Sequence, residues 1–357
     1  MDTYTLRWSF FITAWLVVGL MDRQTTTAQE NLHIKDLRSA KLMTFAPDSR
    51  TFAFVHYPSG RQAITVWDFE KQQATLTLND TLSFSLSTMK FAQDGKHIVV
   101  PSREENDWAL SFLDCRSGEI GKKVMCKSGS ALLGLSEGAR CLITRGTGEA
   151  VSQVTVTHLA SGKSVWLQGQ QKQAREAFFS PDSSIVVTRD THLNEPQPIK
   201  VKIWESASGK LRHTISHEDW DKYRNPHVSI SSDNKILAIQ GMRLGGLQFF
   251  DLGTGEEVGK KIPPFNKKII YPVYGPIVFL LDNKHVAARS SEKKQDLDIW
   301  NVAAQKKVMT LVGTEEEMGD LSLALSPDGR YIARCNSGVA GRGGSISIWE
   351  VPKFTEK

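Results

Sequence analysis

"LSPDGRYIARC" (325–335) is a short apolar run, a turn built on Asp and Gly, and a second apolar run. The aspartate accepts hydrogen bonds from the backbone that follows it, and the small residue after it tolerates tight geometry. The unit therefore reads as a β-hairpin. "FAPDSRTFAFV" (45–55), "FAQDGKHIVVP" (91–101) and "FSPDSSIVVTR" (179–189) are variations on the same line. Whether the copies recur at a fixed period decides the architecture.

They do. The turn positions are Asp48, Asp94, Gly138, Asp182, Asp233, Asp282 and Asp328, spaced by 46, 44, 44, 51, 49 and 46 residues. A second marker trails each by about 20 residues: "VWDF", "FLDC", "VTHL", "IWES", "FFDL", "IWNV" and "IWEV", centred on Trp67, Leu113, His158, Trp204, Phe250, Trp300 and Trp349. A third, a small polar turn such as "RSGE" or "ASGK", follows most of these. Three markers in constant order at one period define a repeat array. Seven units of about 47 residues fill the chain from Gln29 onward, leaving no room for another domain.

Each unit reads as strand a, Asp turn, strand b, loop, strand c, Ser-Gly turn, strand d. A four-stranded meander cannot bury both of its faces alone. Packing unit against unit buries them, and closing the array into a ring removes its exposed ends. The large residues ending strand c, four of them Trp, suit the wedge between neighbouring sheets. The expected fold is all-β, a seven-bladed β-propeller of four-stranded antiparallel blades. The last unit stops after "EVPKFTEK" without a strand d, whereas "NLHIKDL" (31–37) alternates like a strand before the first unit. That segment is expected to complete the last blade and close the ring.

The "FSPD" and "LSPDGR" turns, and the Ile-Trp endings followed by "SGK", resemble the WD-repeat family of β-propellers in its looser, exported type. The resemblance covers essentially the whole chain from Gln29. It implies a seven-bladed ring used as a platform for protein partners. The family's Gly-His pair before strand a is missing throughout, with Thr314 where that His usually stands. The internal His–Asp hydrogen-bond network of strict members is therefore not expected, and the blades should be irregular.

The totals agree with a globular domain. Of 357 residues, 40% are hydrophobic and 23% charged, which excludes wholesale disorder. A net charge of +5 with no Lys/Arg run gives nothing that would track phosphates, so nucleic acid is not an expected partner. At the N-terminus, "WSFFITAWLVVGLM" (8–21) carries no charge, and Thr26 and Ala28 occupy the −3 and −1 positions of a small-residue cleavage site. Fourteen apolar residues fall short of the ~20 that span a bilayer. Residues 1–28 read as a signal peptide and 29–357 as the mature, exported domain. The alternative is an uncleaved segment that anchors the protein to a membrane. Cys115, Cys126, Cys141 and Cys335 show no CxxC spacing and read as small buried hydrophobes.

Strands alternate in direction, so the a–b and c–d turns share one face of the disc and the b–c and d–a connections share the other. The first set is tight. The second is long: "SREENDW" (102–108), "RDTHLNEPQPIK" (189–200), "SHEDWDKYRNPH" (216–227), "PPFNKKIIYPVYGP" (263–276) and "CNSGVAGRGGS" (335–345). Length beyond what a turn needs points to binding. The two connections flanking blade five hold Trp220, Tyr223, Phe265, Tyr271 and Tyr274 among Arg224, Lys267 and Lys268. Aromatics beside cations suit a protein or a sugar-like ligand; the competing reading is that the rings pack the loops onto the blade tips. Arg145, Arg189 and Arg289 each follow their turn position by seven residues, with Arg103 and Arg334 close by, a pattern expected to favour anionic partners at the channel. Capping of strand ends is the plainer alternative.

Catalytic motifs do not assemble. "GLSEG" (134–138) matches a nucleophile pattern but is in register with the other turns. "SGKS" (161–164) lacks the first Gly of a phosphate loop, because Thr157 stands there. His217, Glu218, Asp219, Asp221 and His227 form an acidic, imidazole-bearing loop that a solvated connection explains as well as a cation does. "GVAGRGGS" (338–345) lacks the strand–turn–helix setting of a nucleotide site. No metal or cofactor is expected. The reading is a non-catalytic, exported interaction platform that uses the long loops of one face. Its alternative is a propeller enzyme, a metal-dependent hydrolase or quinone-dependent dehydrogenase working at the channel mouth.

Overall fold

The computed structural model describes residues 26–354, apart from 36, 38, 59–60, 80–87, 105–106, 127–129, 148–152, 171–173, 191–199, 217–226, 241–245, 260–275, 291–292, 294, 314–320 and 337–343. Seven sheets stand in a ring, built of antiparallel strands that follow one another in sequence from a outward, except that the last sheet takes its outer strand from the N-terminal segment. Blade one is Ala40–Phe45, Thr51–His56, Ala63–Asp68 and Gln73–Asn79. Blade four is Ala174–Phe179, Ile185–Asp190, Lys200–Glu205 and Leu211–Ser216. In blade five the described part of strand d is a single bridge, Glu257 to Phe250.

The ring closes as the alternation of 31–37 implied. Leu32–Ile34 pairs antiparallel with strand c of the last blade, Leu32 opposite Ile348 and Ile34 opposite Ile346. Asn31 adds a clamp: its N–H donates to Ile348 O at 2.8 Å and its side-chain oxygen accepts from Glu350 N at 2.7 Å. Beyond expectation, Thr26–Gln29 lies parallel to strand d of blade six, Thr26 opposite Met309 and Gln29 opposite Val312. Ala28 packs against the core between blades six and seven. A cut after Ala28 therefore removes three of the four residues of this added strand.

"SREENDW" is not a long loop. Strand b of blade two runs on through Glu104 and strand c begins at Asp107, with Glu104 opposite Asp107. Polar residues on both faces gave it the look of a connection, but backbone pairing needs no apolar side chains.

The hairpin turns explain their sequence. Ser49 N donates to Ala46 O at 3.0 Å and Ala46 N to Thr51 O at 2.8 Å, a tight turn followed by one left-handed residue. That residue is Ser49, Gly95, Ala139, Ser183, Asn234, Asn283 or Gly329, with φ between +48° and +73° in all seven blades. Aspartate fixes the geometry: Asp48 Oδ1 accepts from the N–H of Arg50 at 2.8 Å and of Thr51 at 2.9 Å. Where Ser precedes it by two, as in "SPD", the hydroxyl donates to the carboxylate, Ser326 to Asp328 at 2.6 Å, and accepts from Tyr331 N at 2.9 Å.

The hydrophobic core is divided into seven clusters, and each lies between two blades rather than within one. Trp67, Trp204 and Trp349 sit in these seams almost without exposure. Blade four holds a buried polar network. Trp204 Nε1 donates to Thr188 Oγ1 at 2.9 Å, Thr188 approaches Gln170 Oε1 at 3.5 Å, and Gln170 Nε2 donates to Asp190. Lys202 Nζ completes the network at 3.1 Å from Asp190. The network thus joins Gln170, ahead of strand a, to strands b and c of blade four.

Candidate functional site

Strand a of each blade forms the inner wall of the ring, and neighbouring inner strands lie side by side. Three residues before the turn position, side chains point into the seams: Phe45, Phe91, Leu135, Phe179, Ile230, Phe279 and Leu325 are apolar throughout. One residue earlier stand Thr44, Lys90, Gly134, Phe178, Ser229, Val278 and Ala324, mostly small. Gly134 allows close approach, since a Cβ there would lie 2.9 Å from Ala177 O of the next blade. Small residues at this level leave a bore, a cavity of about 660 Å³ lined by residues of all seven blades. Its wall is chiefly apolar, Met43, Phe178, Val228, Val278 and Leu323 among it, and it reaches a rim of turn residues that includes Pro47, Glu137, Pro181 and Pro327.

That rim is stitched at every seam. Pro47 abuts Gly95, and Lys90 pairs with Glu137. Arg140 donates to Pro181 O at 2.9 Å, and Asn234 to Ser184 Oγ at 3.1 Å. Asn283 Oδ1 accepts from Ser232 N at 2.6 Å, Leu281 covers Gly329, and Ser49 Oγ accepts from Asp328 N at 2.9 Å. The tight-turn face is thereby a rigid ring. The other face is where strand b of blade four ends at Asp190 and strand c resumes at Lys200, and where blade four ends at Ser216 and blade five begins at His227.

The aromatic and cationic residues singled out from sequence, Trp220, Tyr223, Arg224, Phe265, Lys267, Lys268, Tyr271 and Tyr274, lie outside the described residues. The arginines do not form an open ring. Arg189 has no exposed surface, and its guanidinium is 3.0 Å from Glu176 of the same blade. Arg334 is equally buried, donates to Gln295 O across the seam, and stacks over Trp349 at 5.3 Å. Arg145 donates to Ala174 O of blade four at 3.2 Å, and Arg289 ends strand b of blade six half-buried. Arg189 thus lies in the interior beside Glu176, its charge held off the open surface.

Other chemistry is structural too. Ser136 of "GLSEG" is buried, and its hydroxyl accepts from Cys141 N at 2.9 Å, holding the turn. Cys141 Sγ lies 3.2 Å from His158 Nδ1, but burial pushes this thiol up, away from the nucleophilic thiolate. Burial, then the nearby Asp114 and Asp94 carboxylates, pushes Cys115 up to about 12, and burial pushes Cys126 up to about 11. All four cysteines are free. Among the described residues no group of three His, Cys, Asp or Glu side chains gathers to hold a metal. Sequence reasoning missed the bore and Gln170; the small residue that stands four before the turn in five of the seven units was the signal for the first, and "GQ" (169–170) for the second.

No family model matches the sequence, and neither does any curated protein. The fold has many solved counterparts. A chain of the mitotic checkpoint complex superposes with a TM-score of 0.63 at 16% identity, covering 98% of this chain and 100% of that one. The β-propeller domain of Cps50 (Swd1) from Myceliophteria thermophila gives 0.62 at 13%, covering 90% and 99%. Kuenenia stuttgartiensis hydrazine synthase gives 0.60 at 15%, covering 82% and 91%. At such identities the likeness shows the seven-bladed propeller fold.

Proposed function

We propose that this protein is a non-catalytic, exported interaction platform that binds a protein partner through the b–c and d–a connections of one face. The observation that carries the reading is the asymmetry of the disc: one face is tied seam by seam through its turns, while the other bears nearly all the chain in excess of the strands. A rigid scaffold presenting long connections is how many propellers engage partners. Trp220, Tyr223, Arg224, Phe265, Lys267, Lys268, Tyr271 and Tyr274 supply the contact chemistry of the two connections beside blade five. Export rests on the apolar run 8–21 and the small residues before Gln29. If the segment stays uncleaved, the platform is held at a membrane.

A pull-down with the wild-type chain and a Trp220→Ala/Tyr271→Ala variant tests the reading. Partners captured by wild type and lost by the variant support it, and equal capture removes the aromatic patch. Metal analysis and a visible spectrum of the purified protein test the enzyme alternative, which requires stoichiometric metal or a chromophore. Intact mass of the exported protein reads the cut: a chain starting at Gln29 lacks the added strand on blade six, and a longer one keeps it.

A further inference from the structure

The bore has a chiefly apolar wall with a charged end. Its level of small residues is interrupted by one ring, Phe178, and one cation, Lys90, and most of the remaining wall is apolar. Thr44, Ser229 and His227 are polar exceptions in a wall that offers most of its surface to an apolar body. A volume of about 660 Å³ lies within the range of small-molecule sites. The stitched rim makes the cavity preformed, so a ligand orders little on entry. The charged side chains lining it are Lys90, Arg140 and Glu137, two cations against one anion. Among the described residues Lys90 pairs with Glu137, itself largely exposed, and an ion pair so exposed is weak and exchangeable.

We propose that the bore is a binding site for a small amphiphilic monoanion, an alkyl or aryl body against Phe178 and the apolar wall with its carboxylate at Lys90 and Arg140 on the turn rim. The carboxylate takes the place of Glu137 at Lys90, and the excess positive charge selects an anion over a neutral or cationic head group. The carboxylate end of the site lies on the turn rim, while His227 and Pro276, where two of the long connections end, line the bore further along; the Lys90→Met test reads the rim end alone.

Fluorescence titration of the full chain with 1-anilinonaphthalene-8-sulfonate, displaced by dodecanoate, tests this, with uncharged N-phenyl-1-naphthylamine as the second probe. One saturable sulfonate site per chain, emptied by dodecanoate, is expected. Lys90→Met should weaken dodecanoate roughly tenfold while leaving the uncharged probe within about twofold. Ala324→Trp, which fills the bore, should abolish both probes in a protein that still melts in one transition. Should that variant not fold, Lys90→Met, at a partly exposed position, decides alone. Absence of a saturable site in wild type, undiminished binding in folded Ala324→Trp, or dodecanoate affinity unchanged in Lys90→Met overturns the proposal.

Discussion

Gly162 and Gly209 hold the same place in consecutive blades, the left-handed residue of the "ASGK" turn, with φ of +69° in both. Their surroundings differ. A Cβ on Gly162 meets nothing within 4 Å, whereas one on Gly209 would lie 2.1 Å from Trp166 O across the seam. Gly162→Ala should cost about 1 kcal/mol, the strain of the left-handed backbone. Gly209→Ala should cost roughly 3 kcal/mol or more, because backbone must also move. Urea melts of the pair separate strain from clash. His56 tests the pH axis. Burial pushes its imidazole down to about 4, and Nε2 is 2.9 Å from Thr65 Oγ1. The folded protein keeps this ring neutral, so the unfolded chain binds the extra proton once pH falls below 6.5. Stability should drop from there down to about pH 4, below which both states are protonated. With solvent screening the loss at pH 5 is about 1 kcal/mol. A His56→Gln variant should show a flatter profile between pH 7 and 5; parallel profiles count against the assignment.

Among elements, the closing strand matters most. Leu32–Ile34 supplies the outer strand of the last blade, and Ile34 is buried in the seam with blade one. Deleting 29–38 opens the ring and exposes a strand edge together with that core, and should lower stability by roughly 3–5 kcal/mol. A truncated protein melting at the wild-type temperature would show that the strand is dispensable. This element was legible because its absence left a gap: the seventh repeat runs out of chain before strand d, and the alternation of "NLHIKDL" fills it. The strand at Thr26–Gln29 was not legible, since "TTAQ" has no apolar alternation and pairs along an existing edge with Ala28 as its one contact to the described core. Similarly, the aspartate turns announced themselves through residues that accept backbone hydrogen bonds, whereas the extended hairpin at Glu104 and Asp107 has no such marker.

At the scale of the whole molecule, the placement of the cores governs behaviour. Among the described residues every hydrophobic cluster is shared by two blades, so loosening one seam loosens two sheets. The repeat period fixed this arrangement in advance, because a sheet apolar on both faces must find neighbours on both. The site was less legible for the same reason. Arg189 lies seven residues past its turn position and Arg334 six past its own, and the count alone cannot say which level of strand b faces the channel or a seam; the structure puts both in the interior. The shared cores also make a definite prediction. Trp204 is fully buried between blades three and four with its indole N–H bound to Thr188, while Trp166, one blade earlier, is 56% exposed. Trp204→Ala should cost about 3–5 kcal/mol and Trp166→Ala less than about 0.5 kcal/mol. Because the seams are coupled round the closed ring, the Trp204→Ala protein should still unfold in one transition, shifted to lower denaturant, with fluorescence and far-UV circular dichroism coincident. Two separated transitions, one for blades three and four and one for the rest, would mean that the blades are independent modules and that the ring does not act as a single body.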